Sequence, residues 1–114
     1  MSTVLAGTPR YMAPERLLEP QESDPRSDLY ALGAVAYYLL SGQEIYADVS
    51  AAHLLTRILQ QAPAPLAQVA SQPIPAEVER LIDDLLAREV NQRPASAQVV
   101  LDRLRGITTA NTSV

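Results

Sequence analysis

Three short stretches hold the side chains that could do chemistry. Gly7-Thr8-Pro9-Arg10-Tyr11-Met12-Ala13-Pro14-Glu15 places a hydroxyl, a guanidinium, a phenol and a carboxylate in a turn-rich segment leading to a helix. On residue types alone it is a connector, and Glu15 is a first-turn carboxylate favoured by the helix dipole. Ser27 and Asp28 stand at the head of a long apolar run, where a hydroxyl can cap a helix and a carboxylate meets its positive end. Asn91-Gln92-Arg93-Pro94 is a polar loop carrying one guanidinium. What accompanies them narrows the chemistry. All nine basic residues are Arg, with no Lys, although enzymes that handle nucleotide phosphates rely on a Lys to reach them. With no Cys in the chain, disulfides and thiolate metal sites are excluded. His53 is the only histidine, alone in an apolar helical stretch, and reads as a helix residue and not as a ligand or general base. No metal-ligand, cofactor-binding or catalytic set can be assembled from these residues.

The elements that must position these groups are helical. Residues 1–25 hold Pro9, Pro14, Pro20 and Pro25 and no sustained period, so they form an extended loop with a short helical turn at Ala13–Leu18. From Ser27 to Leu40 nearly every position is apolar or aromatic, the pattern of a helix covered on all sides. Ser27 and Asp28 would start it, and Gly42 suits the left-handed position that ends it. A second helix over Ser50–Gln60 has the stripe Ala51, Leu54, Leu55, Ile58 and Leu59. Ala62–Pro75, with four prolines, is an irregular connection. Val78, Leu81, Ile82, Leu85 and Leu86 follow the helical template just after Pro75. Ser96 caps a last helix, which Gly106 ends, and residues 107–114 are a polar tail or the start of a linker. The fold class is mainly α, with about four main helices behind one long loop.

Composition sets further bounds. The chain is 114 residues long and 47% hydrophobic, enough for a packed core. Its net charge is −4, and no basic stretch is long enough to follow a phosphate backbone, which excludes nucleic acid as a partner. The N-terminus carries no signal peptide, and Leu29–Leu40 is too short to span a bilayer, so this segment makes no membrane contact. The expected location is cytoplasmic, though a longer parent could be membrane-anchored.

The string Gly7 to Glu15 resembles the end of the activation segment in protein kinases, where Gly-Thr-x-x-Tyr-Met-Ala-Pro-Glu closes on an Ala-Pro-Glu motif. Ser27-Asp28-Leu29-Tyr30-Ala31-Leu32-Gly33 is similar to the start of the buried F helix of the kinase C-lobe. Asn91-Gln92-Arg93-Pro94 is similar to the Arg-Pro loop between that lobe's last two helices. Three matches in order, from Val4 to about Arg105, identify a bacterial-type serine/threonine protein kinase C-lobe, and the Arg-only, Ala-rich composition suits a GC-rich bacterial source. The resemblance implies a partial kinase domain over residues 1–106, with N-lobe and catalytic loop absent.

It also implies roles. Thr8, Pro9, Arg10, Tyr11 and Met12 would form the loop receiving the substrate residue just after the phosphoacceptor, with Thr8 pointing to serine/threonine specificity. Glu15 would pair with Arg93, 78 positions away, and tie that loop to the helices behind it. Asp28 would accept hydrogen bonds from the catalytic loop, and Ser2 and Thr3 lie where activation loops are often phosphorylated. Departures are small: Glu89-Val90 stands where Asp-Pro is usual, and Ile45-Tyr46 where Pro-Phe is common.

The family's catalytic groups are not in the chain: no Gly-x-Gly-x-x-Gly, no Lys, no His-Arg-Asp, no Asp-Phe-Gly. The implied activity, transfer of the ATP γ-phosphate to Ser or Thr of protein substrates, belongs to a complete parent that holds ATP and Mg; this chain would bind neither. Its partners would be protein substrates and the missing N-lobe or upstream segment. The competing reading is an inactive, stand-alone docking or regulatory module derived from a kinase C-lobe. Without its usual cover, the long helix should expose an apolar patch and leave the chain marginally stable.

Overall fold

The computed structural model describes residues 9–21 and 24–112. Gly7, Thr8, Ser2 and Thr3 therefore lie outside the described residues. The described chain is helical with no strand. A single 3₁₀ turn, Pro9–Tyr11, leads to helix α1 (Pro14–Leu18) and then to the long α2 (Pro25–Ser41). A 3₁₀ turn at Ala51–His53 runs into α3 (Leu54–Gln60), followed by α4 (Leu66–Val69) and α5 (Ala76–Leu85). A further 3₁₀ turn, Val90–Gln92, precedes α6 (Ala97–Thr112). Among the described residues no helix is long and apolar enough to cross a membrane.

Helix α2 starts earlier than the Ser27–Asp28 pair suggests. Asp24 is the cap: its side chain accepts from the Arg26 N–H at 2.8 Å, and Pro25 fills the first turn, where a missing N–H is harmless. Ser27 is thereby released for a different bond, and Asp28 stays exposed on the first turn. At the other end Gly42 adopts φ 77° and its N–H closes on the Tyr38 carbonyl, a conformation that suits a residue without Cβ.

Helix α2 organises the packing because three of its faces do different work. Tyr30, Ala34 and Tyr37 enter the main core with Ala13, Ile45, Tyr46, Val49, Leu54, Ile58, Leu66, Ile82 and Leu86. Leu29 joins a second cluster with Leu81, Leu85 and Val100, which seats α5 and α6. The third face is not covered: Leu32, Val35 and Leu39 are 48%, 42% and 73% exposed. These follow Asp28 at i+4, i+7 and i+11, so carboxylate and apolar side chains form one stripe. The helix is apolar all round, as its composition indicates, yet only two of its faces are buried.

Two further boundaries differ from the sequence expectation. The proline-rich connection contains α4, a single turn anchored by the fully buried Leu66. Four residues are too few for a period to show, and tertiary burial makes the turn worthwhile. Helix α6 runs through Gly106 to Thr112 instead of stopping there. A mid-helix Gly costs only about 1 kcal/mol, and the Arg103–Asp84 ion pair at 2.8 Å holds this part of α6 on α5. Ser96 does sit at the head of α6, accepting from the Val99 N–H at 3.3 Å.

Gly33 marks the closest approach of α2 and α5. A Cβ there would meet the Leu85 Cβ at 2.8 Å, which neither backbone can yield. Gly33→Ala should destabilise the chain by about 1–2 kcal/mol, the overpacking strain less the gain in helix propensity. Urea unfolding followed by circular dichroism checks this; an unchanged or raised midpoint would show that the two helices are not in such close contact.

Candidate functional site

The polar centre is built around Arg93, whose side chain is completely buried. A buried guanidinium must satisfy five N–H donors, and here each has a partner. Nη1 donates to Glu15 Oε2 at 2.7 Å and Nη2 to Glu15 Oε1 at 2.8 Å, a bidentate fork. Nε donates to the Ala87 carbonyl at 2.8 Å, Nη1 also to the Arg26 carbonyl at 3.0 Å, and Nη2 to the Arg88 carbonyl at 3.2 Å. The guanidinium also lies 5.1 Å from the centre of the Tyr30 ring, a cation–π distance.

Local sequence places each member. Glu15 follows Pro14 in the first turn of α1, and Arg93 closes the 3₁₀ turn Val90–Gln92, just before the buried Pro94. Ser27, buried in the first turn of α2, donates its hydroxyl to Glu15 Oε2 at 2.6 Å. That bond has no trace in spacing; its one sequence signal is a small hydroxyl facing inward on an otherwise apolar helix. Burial opposes ionisation of Glu15, but hydrogen bonds from Arg93 and Ser27 outweigh it and hold the carboxyl below the usual carboxylate range.

A second polar cluster secures the turn Pro9–Tyr11. Arg10 donates from Nη1 to the Tyr46 carbonyl at 2.5 Å and from Nη2 to the Val49 carbonyl at 2.5 Å. The Tyr11 hydroxyl donates to Glu44 Oε2 at 2.8 Å, and Glu44 Oε1 is 3.8 Å from Arg10 Nε. Burial, then the bond to Glu44, pushes the Tyr11 phenol up to about 12. Met12 is half-buried between this turn and α1. Tyr46 takes a left-handed φ of 54°, rare for an aromatic side chain and worth about 1–3 kcal/mol of strain. Its ring is buried nonetheless, and its hydroxyl donates to the Gln61 carbonyl at 2.7 Å. Burial pushes that phenol up to about 12 as well. Nothing in the sequence announces Glu44, Tyr46 or Val49 as partners of Arg10 and Tyr11.

The structure thus brings Glu15 and Arg93 together, seats Arg10 and Tyr11 on the segment after α2, and leaves Asp28 exposed at the head of the apolar stripe. His53 accepts or donates a bond with the Ser50 hydroxyl at 2.9 Å beside the start of α3, a local contact at the surface. Among the described residues, no cluster of three or more His, Cys, Asp or Glu could hold a metal ion.

Comparison with known proteins places this geometry in context. The protein kinase domain family model matches residues 1–104. Serine/threonine-protein kinase PknK of Mycobacterium tuberculosis is 34% identical over 108 residues, covering 95% of this chain and 10% of its own length. Serine/threonine-protein kinase pkn3 of Myxococcus xanthus is 36% identical over 104 residues, 90% of this chain and 19% of its own length. Serine/threonine-protein kinase A of Synechocystis is 34% identical over 108 residues, 89% of this chain and 19% of its own length. The chain therefore spans between about a tenth and a fifth of the relatives it matches.

Breaking the buried pair from one side leaves a charge without its partner, so Glu15→Ala and Arg93→Ala should each cost about 3–5 kcal/mol. Arg93→Lys should recover little, because an ammonium cannot serve five acceptors in a plane. Urea titration measures both; losses under about 1 kcal/mol would reduce the pair to a surface contact.

The pH profile follows from the same groups. The folded Glu15 carboxyl ionises at a lower pH than its unfolded counterpart. Its stabilisation is full above the ordinary carboxylate range and drains as pH falls through the folded value. Tyr11 and Tyr46 hold their protons more tightly when folded, so stability also falls as pH climbs from about 10 towards about 12. Melting temperature against pH should show a plateau with losses at both ends, and Glu15→Gln should make the acid loss shallower. An acid limb identical in Glu15→Gln would separate it from this carboxyl.

Proposed function

Because this chain belongs to the protein kinase domain family, we propose that it forms the substrate side of a serine/threonine kinase domain. The parent would transfer the ATP γ-phosphate to Ser or Thr of proteins. Residues 8–12 would be the wall that receives the substrate residue after the phosphoacceptor, and Glu15 with Arg93 would hold that wall on the helices. Thr8 would favour a hydroxyl on an aliphatic side chain. Residues 1–106 would be the kinase portion of the parent, and Ser2 and Thr3 would be open to phosphorylation.

The observation that carries this reading is the stripe along α2. Asp28, Leu32, Val35 and Leu39 share one exposed face of the helix on which the rest of the chain is built. An apolar row of this length headed by a carboxylate suits a covering segment with apolar side chains and free backbone N–H groups. A catalytic loop and the helix before it have that chemistry. ATP and magnesium would be held by the segments that cover α2, since this chain has no Lys and its described residues hold no carboxylate cluster. Its own contribution is binding and orientation, which is much of what phosphoryl transfer asks of a protein.

The test is a chimaera. The corresponding segment of the Myxococcus kinase pkn3 is replaced by this chain, and transfer of radiolabel to a generic protein substrate is measured. The reading expects phosphoserine and phosphothreonine product, with Asp28→Ala lowering activity about 100-fold or more through misplacement of reacting groups. A chimaera that folds but transfers nothing would contradict it and favour the docking-module reading instead.

A further inference from the structure

We infer that Arg10 is a positioning residue that ties the substrate-side loop to α3, acting through the left-handed Tyr46. The inference rests on residues 8–12 being the substrate wall, as proposed above, and concerns how that wall is kept in place.

The guanidinium of Arg10 is spent on the protein itself. Its two Nη groups bridge the carbonyls of Tyr46 and Val49, and Nε faces Glu44. The segment 44–49 is thereby clamped at three points, Glu44, Tyr46 and Val49, from one side chain more than 30 positions earlier. Within it, Tyr46 holds a φ of 54°, a conformation that bulky side chains avoid and that persists only when its surroundings enforce it. Two contacts enforce it, one on the backbone and one on the side chain. The carbonyl is held by Arg10, and the hydroxyl donates to Gln61, the residue that caps α3 through its own N–H to Arg57. The ring between these contacts is buried among core residues, including Ile58 of α3. An unbroken series of bonds therefore runs from residue 10, through Tyr46, to the end of α3. Tyr11 adds a parallel connection through Glu44.

Geometry also says why the residue is Arg. A planar guanidinium presents paired donors at fixed spacing and can bridge two carbonyls at once, whereas an ammonium is a point donor on a flexible stem. Displacement of α3 or of segment 44–49 would release one anchor of Tyr46, and the strained backbone would relax away from Arg10. The substrate wall and α3 are accordingly one mechanical unit.

Hydrogen–deuterium exchange on the 114-residue chain tests the tie, with titration of a serine-containing peptide, followed by amide shifts, as the functional readout. Arg10→Ala should speed exchange over residues 45–61 by about tenfold or more while leaving α5 as in the native chain. Arg10→Lys should behave like Arg10→Ala, and Arg80→Ala, on an exposed face of α5, should leave residues 45–61 unchanged. Should Arg10→Ala fail to fold, Arg10→Lys and Tyr46→Phe carry the test, the latter loosening the end of α3 while residue 10 keeps its bonds. Native exchange over 45–61 in Arg10→Lys would overturn the inference. So would peptide binding by Arg10→Lys that is as tight as in the native chain. Peptide binding by none of the variants, nor by the native chain, with the exchange difference intact, would overturn the substrate-wall reading and leave the tie standing.

Discussion

One buried guanidinium sets the terms for the rest of the fold. Arg93 gathers a carboxylate from α1, a carbonyl from the start of α2 and two carbonyls from the residues just after α5. The Ala87 and Arg88 carbonyls lie just past the C-terminal end of α5, where the helix ladder supplies no donors, and Arg93 supplies them. Such a centre is poor evidence of extra stability, since desolvation offsets most of the Coulomb attraction. What it gives is registration. Five directional bonds admit one arrangement of the four segments, and the bidentate fork fixes Glu15, and with it the turn before α1, to within the tolerance of a hydrogen bond.

Around that centre, α2 acts as an axle. One face carries the main core, a second seats α5 and α6, and Gly33 lets α5 come close enough for Leu85 to seal the joint. The third face, headed by Asp28, is apolar and exposed. An isolated chain carrying it would gain less burial per residue than its hydrophobic content allows, so its stability is expected at the low end for domains of this size. Under the proposed role, this open face is where a segment bringing catalytic groups would attach, while the turn Pro9–Tyr11 is held on segment 44–49.

Much of this was legible in the sequence, and for physical reasons. Helix α5 follows a strict apolar period because one face is buried and the other solvated, and Gly42 ends α2 because the chain must turn left-handed there. The resemblance at Gly7–Glu15, Ser27–Gly33 and Asn91–Pro94 depends on motifs fixed by such local demands. Other features leave no local mark. Asp24 lies within three residues of Ser27 as a cap, and only the fold decides between them. Helix α4 is too short to show a period, and Gly106 breaks a helix less strongly than its neighbours on α5 hold it. The Arg10–Tyr46 contact joins residues 36 positions apart through a backbone carbonyl, a partner every residue type possesses. No reading of side-chain types could have selected it.

The central claim is that this chain orients a substrate and leaves the nucleotide to others. Isothermal calorimetry of the purified 114-residue chain with magnesium and ATP tests it most directly, run beside a radiolabel assay on the same sample. The account predicts no saturable heat and no labelled product from a chain that circular dichroism shows to be helical. Saturable binding with phosphate transfer, abolished by Glu15→Ala, would mean that these helices build a nucleotide site of their own, and the division of labour argued above would be wrong.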